Sequence, residues 1–150
     1  MISKGVKSIF PIKNQEIWDR YKQHIQAFWT TEEVSLQDDL RDLETLNEGE
    51  KHFIKHVLAY FANSEAMINE NLASRFYKEI LIPEARCFIS MQMLNESIHA
   101  EMYGLQIEAY VKDAKEKDML FDAIQNVPCI NHKAKWVSKW LNGSQNLLTR

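Results

Sequence analysis

The sequence predicts an all-α protein, and three observations support that prediction. Glycine and proline are scarce, with four and three residues in a chain of 150, whereas residues that favour helices, such as Leu, Met, Ala, Glu and Lys, are common. Apolar residues recur every three to four positions over two long stretches. Signals that start helices precede both stretches. These features predict two long antiparallel helices in one domain, which is half or more of a helical bundle.

The N-terminal segment, residues 1–45, is expected to contain short helices. Residues 14–29 place apolar side chains, including Ile17, Tyr21 and Ile25, on one side of an amphipathic helix. The polar stretch "TTEEVSLQDDL" then leads into a second short helix. The helices of the bundle itself are assigned to residues 46–150.

The first long helix is predicted to begin after Asn47 and to continue to about residue 80. Asn47 can cap the new helix, and Glu50, three residues later, can bond back to it, which is a variant of the capping box. The sequence "LIPE" at residues 81–84 then interrupts the pattern, because a residue before proline disfavours helix.

The second long helix is predicted to begin at Pro83 and to end near residue 111. Proline suits the first helical position, and the carboxylate of Glu84 suits the positive end of the helix. Two shorter helices are expected near residues 115–125 and 132–141.

Composition and charge exclude several classes of function. A formal net charge of −3 is too small and too evenly spread to indicate binding to nucleic acid or to a membrane surface. The start of the chain lacks an apolar signal core, and no apolar run approaches the length of a membrane span. Cys87 and Cys129 fit no metal-binding spacing, so we expect reduced thiols in the cytoplasm.

Charged residues interrupt the inward side of both long helices. The row expected to face inward on the first helix is Ile54, Leu58, Phe61, Glu65, Ile68, Leu72 and Phe76. The corresponding row on the second is Phe88, Gln92, Glu96, His99, Tyr103, Gln106 and Tyr110. Residues three and four apart share a helix face, so Glu65, Glu96 and His99 are all expected inside. An ionised group in a core must pair, bind metal or take up a proton.

Two interpretations of these three residues remain open at this point. A buried glutamate can pair with a buried histidine, and Tyr103 can be ordinary core. Alternatively, the three side chains bind metal, and carboxylate oxygens with imidazole suit iron, manganese or zinc and can bridge two ions. His52 and His56 are also four residues apart, but they lie off the apolar row beside Lys51 and Lys55, so we interpret them as a solvated face.

The sequence resembles the radical-generating small subunit of class I ribonucleotide reductase over nearly its whole length. The blocks that carry the resemblance, in order, are "IFPI" and "IW" near the start, "FWTTEEV" at 28–34, "EKHFIKHVLAYFA" at 50–62, "NENLASRF" at 69–76, "IPEARCF" at 82–88, "NESIHAEMY" at 95–103 and "YVKD" at 110–113. The resemblance implies a ferritin-like bundle in which one Glu from each of two helices and a Glu-x-x-His from each of two others bind a di-iron centre.

The same resemblance implies a role for five residues. Glu65, Glu96 and His99 match metal ligands of the first half of that fold. Tyr103 matches the tyrosine that is oxidised to a stable radical after the metal pair reacts with oxygen. Trp29 matches the tryptophan associated with electron transfer to the large catalytic subunit. In that large subunit a cysteine begins the reduction of ribonucleotides to deoxyribonucleotides, which are the building blocks used in DNA replication.

The sequence departs from the family pattern in two ways. Position 65 is usually aspartate in the family, and the longer glutamate here leaves a mixed manganese/iron centre possible beside di-iron. Family members are also about twice as long, and their second half supplies another Glu and another Glu-x-x-His. His99 is the one histidine of this sequence with a glutamate three residues before it.

Three arrangements could follow from this half set of ligands. Two divalent ions bring four positive charges, against which Glu65 and Glu96 supply two negative ones, so a site on this chain alone should bind metal weakly. The chain should also expose the apolar side of its long helices. Because "WVSKWLNGSQNLLTR" stops without a cap, we favour a split or truncated form that needs a second-half chain and lacks reductase activity alone. A homodimer with a shared site comes second, and an inactive helical interaction module third.

Overall fold

The computed structural model describes residues 8–141, and no β-strand occurs among them. This confirms the predicted all-α class. The α-helices of this range are α1 Gln15–Gln26, α2 Gln37–Thr45, α3 Glu48–Asn71, α4 Tyr77–Glu79, α5 Pro83–Tyr110, α6 Ala114–Phe121, α7 Ala123–Asn126 and α8 Pro128–Leu141. Thr31–Glu33 forms a 3₁₀ turn and Leu72–Phe76 a π-helical turn. The predicted division into residues 1–45 and 46–150 remains a prediction.

Helices α3 and α5 pack side by side in opposite directions and form the centre of the molecule. The antiparallel direction follows from the contacts, because Phe61 stacks on Tyr103 while Asn69, farther along α3, bonds to Ser97, earlier on α5. One end of this pair is closed by α6, α7 and α8. The core cluster at that end consists of Leu58, Ala59, Ile107, Val111, Leu120, Ala123 and Ile130.

The start of α3 follows the predicted capping box. The Asn47 side chain accepts a hydrogen bond from the Glu50 backbone N–H at 3.0 Å, and the Asn47 N–H donates to the Glu50 carboxylate at 2.9 Å. Two backbone donors that the first turn would leave unpaired are thus satisfied. Pro83 stands in the first turn of α5, as the sequence predicts.

The prediction of a first helix through residue 29 was wrong at its end. Helix α1 stops at Gln26, and Trp29 lies in the following connection. The reason is the next turn, which requires an extended Thr30 as its cap, with φ −126° and ψ 160°. The Thr30 N–H donates to the Glu33 carboxylate at 3.0 Å, so this local capping ends the helical pattern.

Three other boundaries also differ from the prediction. The first long helix does reach residue 79, but a π-helical turn at Leu72–Phe76 interrupts its α-helical part. The stretch predicted at 115–125 divides into α6 and α7 at Asp122, because the backbone there, with φ −107° and ψ 34°, is not helical. Helix α8 begins at Pro128 rather than at 132, since proline is favoured in the first helical turn.

The inward rows were predicted only in part. Leu58, Glu65 and Leu72 of α3 are buried, whereas Phe61 and Ile68 are each 39% exposed. On α5 the predicted row is half-buried, and the buried side chains include Ile89, Met91, Ile98, Met102 and Ile107. The physical reason is that α5 packs against α1 as well as against α3, so two of its faces are covered and the row between them is not fully enclosed.

The N-terminal segment lies along α5 and is bonded to both of its ends. At the start of α5, the Glu84 carboxylate accepts hydrogen bonds from the backbone N–H groups of Lys13 and Asn14, at 2.7 and 3.1 Å, and from the Asn14 side chain at 3.2 Å. At the other end, the Tyr110 hydroxyl donates to Asp39 of α2 at 2.6 Å. The segment therefore runs in the same direction as α5.

Glu84 is 1% exposed and should make the stability of the fold depend on pH in acid. The hydrogen bonds, led by the one from the Lys13 backbone, lower the pKa of Glu84 from 4.5 to about 2. The stabilisation is thus complete above pH 4.5 and is lost as the pH falls through 2. We expect Glu84→Gln to lower the urea midpoint at pH 7 but to differ less from the parent near pH 2. Glu101→Gln, on an exposed part of the same helix, should leave the midpoint unchanged at both pH values. A parental midpoint in Glu84→Gln at pH 7 would contradict this role.

Among residues 8–141, no helix combines the length and the apolar character that crossing a membrane requires. Of the C-terminal stretch used in the sequence analysis, residues 142–150 lie outside the described residues.

Candidate metal centre

The structure brings Glu65, Glu96 and His99 together between α3 and α5. One ligand atom from each of the three side chains lies within 4.8 Å of the others, and within residues 8–141 this is the one group of three or more acidic, histidine or cysteine side chains with that geometry. Glu96 and His99 are three residues apart on α5, and antiparallel packing places Glu65 of α3 opposite them. The three residues predicted from the helical period therefore do share one site.

Hydrogen bonds link the three groups. The His99 Nδ1 and the Glu96 Oε2 are hydrogen-bonded at 3.0 Å, and Glu96 also hydrogen-bonds the Glu65 side chain. Burial, then this bond and then the negative charge of Glu96 raise the pKa of Glu65 from 4.5 to about 7. Two carboxylates close together in a buried place cannot both ionise without cost, so one proton is held between them.

The donors present fit a metal ion. Glu65 is 5% exposed, and its Oε2 is buried without a hydrogen-bond partner among the described residues. An unpaired buried carboxylate oxygen is costly, and a cation would satisfy it. Two carboxylates and one imidazole match the hard and borderline donors that iron and manganese take in proteins.

Tyr103 lies one turn beyond His99 on α5. The centres of the two rings are 6.5 Å apart, and the Tyr103 ring stacks on Phe61 of α3, with centres 5.3 Å apart and an angle of 21°. Burial, followed by the negative charges of Glu65 and Glu96, raises the pKa of Tyr103. The phenol is therefore kept protonated and sits directly beside the candidate metal site.

Trp29 also packs against His99. The two ring centres are 6.0 Å apart and the rings are inclined by 30°. The sequence did not predict the contacts by which α1, the helix before Trp29, docks on α5. His24 stacks on Phe88 at 5.2 Å, and its Nε2 lies 2.7 Å from the Asn95 side-chain nitrogen. A histidine in a short amphipathic helix is a weak signal of such a contact. Sequence spacing does not identify the side chains of α5 that it meets.

The sequence pattern of the family described as "Ribonucleotide reductase, small chain" matches residues 6–150. The chain belongs to this family. Among curated relatives, it is 51% identical over 143 residues to a ribonucleoside-diphosphate reductase small chain of Arabidopsis thaliana, and the match spans 95% of this protein and 43% of the relative. It is 52% identical over 136 residues to the ribonucleoside-diphosphate reductase small chain of Monkeypox virus, where the two shares are 91% and 43%.

Solved structures of the family share the same architecture. The Rnr4 ribonucleotide reductase homodimer from Saccharomyces cerevisiae is 32% identical, with a TM-score of 0.79, and the match covers 93% of this chain and 44% of that one. The ribonucleotide reductase R2 subunit from Clostridium botulinum is 20% identical with a TM-score of 0.80, a likeness that concerns the fold alone. The predicted ferritin-like bundle is thus confirmed, and the chain spans about 43% of the length of the curated relatives it matches.

Proposed function

We propose that this chain provides the first-half ligands and the radical tyrosine of the small subunit of a ribonucleoside-diphosphate reductase. The observation that supports this proposal most strongly is the convergence of Glu65, Glu96 and His99 beside Tyr103. The family match favours the same activity, since the relatives named above are ribonucleoside-diphosphate reductase small chains.

The proposed cofactor is a di-iron centre, to which Glu65, Glu96 and His99 contribute ligands. Glutamate at position 65 is compatible with a manganese/iron pair as well, because its longer side chain changes how a carboxylate can bridge two ions. When bound and exposed to oxygen, the metal pair would supply the oxidant that removes one electron from a nearby side chain. The raised pKa of Glu65 means that metal uptake near neutral pH would release its proton.

Tyr103 is proposed to give up one electron and its phenolic proton and so become the stored radical. Its raised pKa keeps the phenol neutral until that step, so the proton and the electron leave together. Phe61 covers one face of the ring and limits contact with reductants. Trp29, whose ring contacts His99, is proposed to relay an electron towards the surface that meets the large catalytic subunit.

A complete site needs more ligands than this chain supplies. Two carboxylates leave an excess of two positive charges against two divalent ions, and a buried excess of that size is unfavourable. We propose that a second-half segment of the family fold, carried by the same polypeptide or by another, adds the other Glu and Glu-x-x-His. The exposed Phe61 and Ile68 of α3 are consistent with such a covering partner. A second copy of the chain is the alternative.

We also propose that the assembled subunit is cytoplasmic, where Cys87 and Cys129, both free, stay reduced.

Metal binding by the chain tests this function. We expect Glu96→Ala to weaken Fe²⁺ binding about tenfold or more, because Glu96 is a ligand and also orients His99. Anaerobic calorimetric titration of the chain with Fe²⁺ provides the measurement. Glu101→Ala is the matched control, since Glu101 is exposed on the same helix.

Equal Fe²⁺ affinities of Glu96→Ala and the parent chain would contradict the assignment. If neither chain takes up metal and Glu96→Ala still binds its protein partner normally, the result would instead support a helical interaction module without enzymatic activity.

A further inference from the structure

A second pair of potential metal ligands lies on α3, away from the buried carboxylates. His52 and His56 are four residues apart, so they share one face of the helix. Their ring centres are 4.0 Å apart, with an angle of 34° between the rings. His52 is exposed, as the sequence predicts, but His56 is partly buried. Two histidines at this spacing on a helix are the pair that binds zinc in the H-E-x-x-H helices of metalloproteases.

The hydrogen bond of His56 leaves its outer nitrogen free to bind a metal ion. Its Nδ1 lies 2.8 Å from the backbone oxygen of His52, and a carbonyl oxygen can only accept, so the Nδ1 carries the proton. In the neutral ring the Nε2 then holds an unshared electron pair. Histidine ligands commonly donate their other N–H to a carbonyl in this way, which fixes the ring in position.

The neighbouring lysines do not oppose a cation at this pair as strongly as the sequence suggests. Lys51 pairs with Glu48 at 3.1 Å. Lys55 contacts both carboxylate oxygens of Glu116 on α6, each at 2.9 Å. Each ammonium group next to the histidines therefore has a carboxylate partner that offsets its charge.

We propose that His52 and His56 form a surface site for a borderline divalent transition metal, Cu²⁺, Ni²⁺ or Zn²⁺. Two imidazole nitrogens without a carboxylate favour these ions over Fe²⁺ and Mn²⁺, and Cu²⁺ most of all by the usual order of affinities. Water completes the coordination. The site binds but does not hydrolyse, because Phe53 stands where the metalloprotease helix has its glutamate base. The proposal is independent of the buried carboxylate site.

Titration of the full chain with CuCl₂, followed by electron paramagnetic resonance, tests the proposal. Coordinated imidazole nitrogens split the Cu²⁺ signal, so the spectrum reports the ligands directly. The titration uses a background chain that carries both Glu96→Ala and His99→Ala, so that the buried carboxylate site does not contribute. In this background we expect His52→Gln and His56→Gln each to lower the Cu²⁺ affinity about tenfold or more. His132→Gln, which removes an exposed histidine on α8, should change nothing.

Three results would overturn the proposal. One is an unchanged affinity and nitrogen splitting when both His52 and His56 are glutamine. Another is a Cu²⁺ affinity that falls in only one of the two single variants, which would mean that one imidazole binds the ion and the pair does not chelate it. The third is a dissociation constant weaker than about 1 mM in the background chain, which is incidental binding. Circular dichroism checks that each variant remains helical.

Discussion

Tyr103→Phe should abolish the radical signal of the assembled small subunit completely. Phenylalanine keeps the ring that stacks on Phe61 but has no hydroxyl group from which a proton and an electron can be removed together. The measurement is electron paramagnetic resonance after the subunit, completed by its second half, is loaded with Fe²⁺ and exposed to oxygen. Metal content should stay at the parental level, because Tyr103 is not among the three grouped ligands.

Tyr60→Phe is the matched control for this experiment. Tyr60 lies next to Phe61 on α3, with ring centres 5.4 Å apart, so it belongs to the same aromatic cluster but is on the other long helix from Tyr103. Its removal should leave the signal in place. A tyrosyl signal that survives Tyr103→Phe, or that disappears in Tyr60→Phe, would show that the radical has been assigned to the wrong residue.

Glu65→Gln should have opposite effects on the metal-free and the metal-loaded chain. In the metal-free chain the raised pKa of Glu65, about 7, means that the folded state holds a proton which the unfolded state releases near pH 4.5. The stability that this proton provides is therefore complete below pH 4.5 and is lost as the pH rises through 7. Glutamine cannot ionise, so at pH 8 the variant should be more stable, on the order of 1–3 kcal/mol, the usual cost of an unsatisfied buried polar group.

With metal present, the same substitution should be harmful, because it removes a carboxylate from the donor set. Urea unfolding at pH 5 and pH 8, with and without Fe²⁺ under anaerobic conditions, measures both effects. The gain in the metal-free chain should be confined to pH 8, and the stabilisation by Fe²⁺ should disappear. Glu70→Gln, an exposed position on α3, provides the control. A variant that is less stable than the parent without metal at pH 8 would mean that Glu65 contributes to the fold as an ordinary paired carboxylate.

Much of this site could be predicted because helical geometry connects distant positions in a regular way. Glu96 and His99 are three residues apart, so any helix through them places both on one face. Glu65 interrupts an apolar row, and burial of an ionisable group signals a function or a partner. Tyr103 follows from the same row. These predictions needed only the helical period and the pairing of two long helices.

Other features depended on contacts between segments, which sequence spacing does not report. Glu84 was interpreted as a favourable charge at a helix start, yet it is buried and bonded to residues 70 positions away. The end of α1 was misplaced because the cap at Thr30 outweighed the continuing apolar pattern. The π-helical turn at Leu72–Phe76 contains Leu, Ala and Arg, which favour an ordinary α-helix, so no local signal in the sequence marked it.

The attachment of the N-terminal segment to both ends of α5 has a consequence for chain length. Between Asn14, which bonds to Glu84, and Asp39, which bonds to Tyr110, the chain runs from one end of α5 to the other. An inserted residue in the connection after α1 would leave both attachments and the carboxylates untouched, yet it would shift the indole of Trp29 away from the imidazole it faces. Under the roles proposed for Tyr103 and Trp29, length variation at that connection should therefore uncouple storage of the oxidising equivalent from its delivery, without loss of the fold.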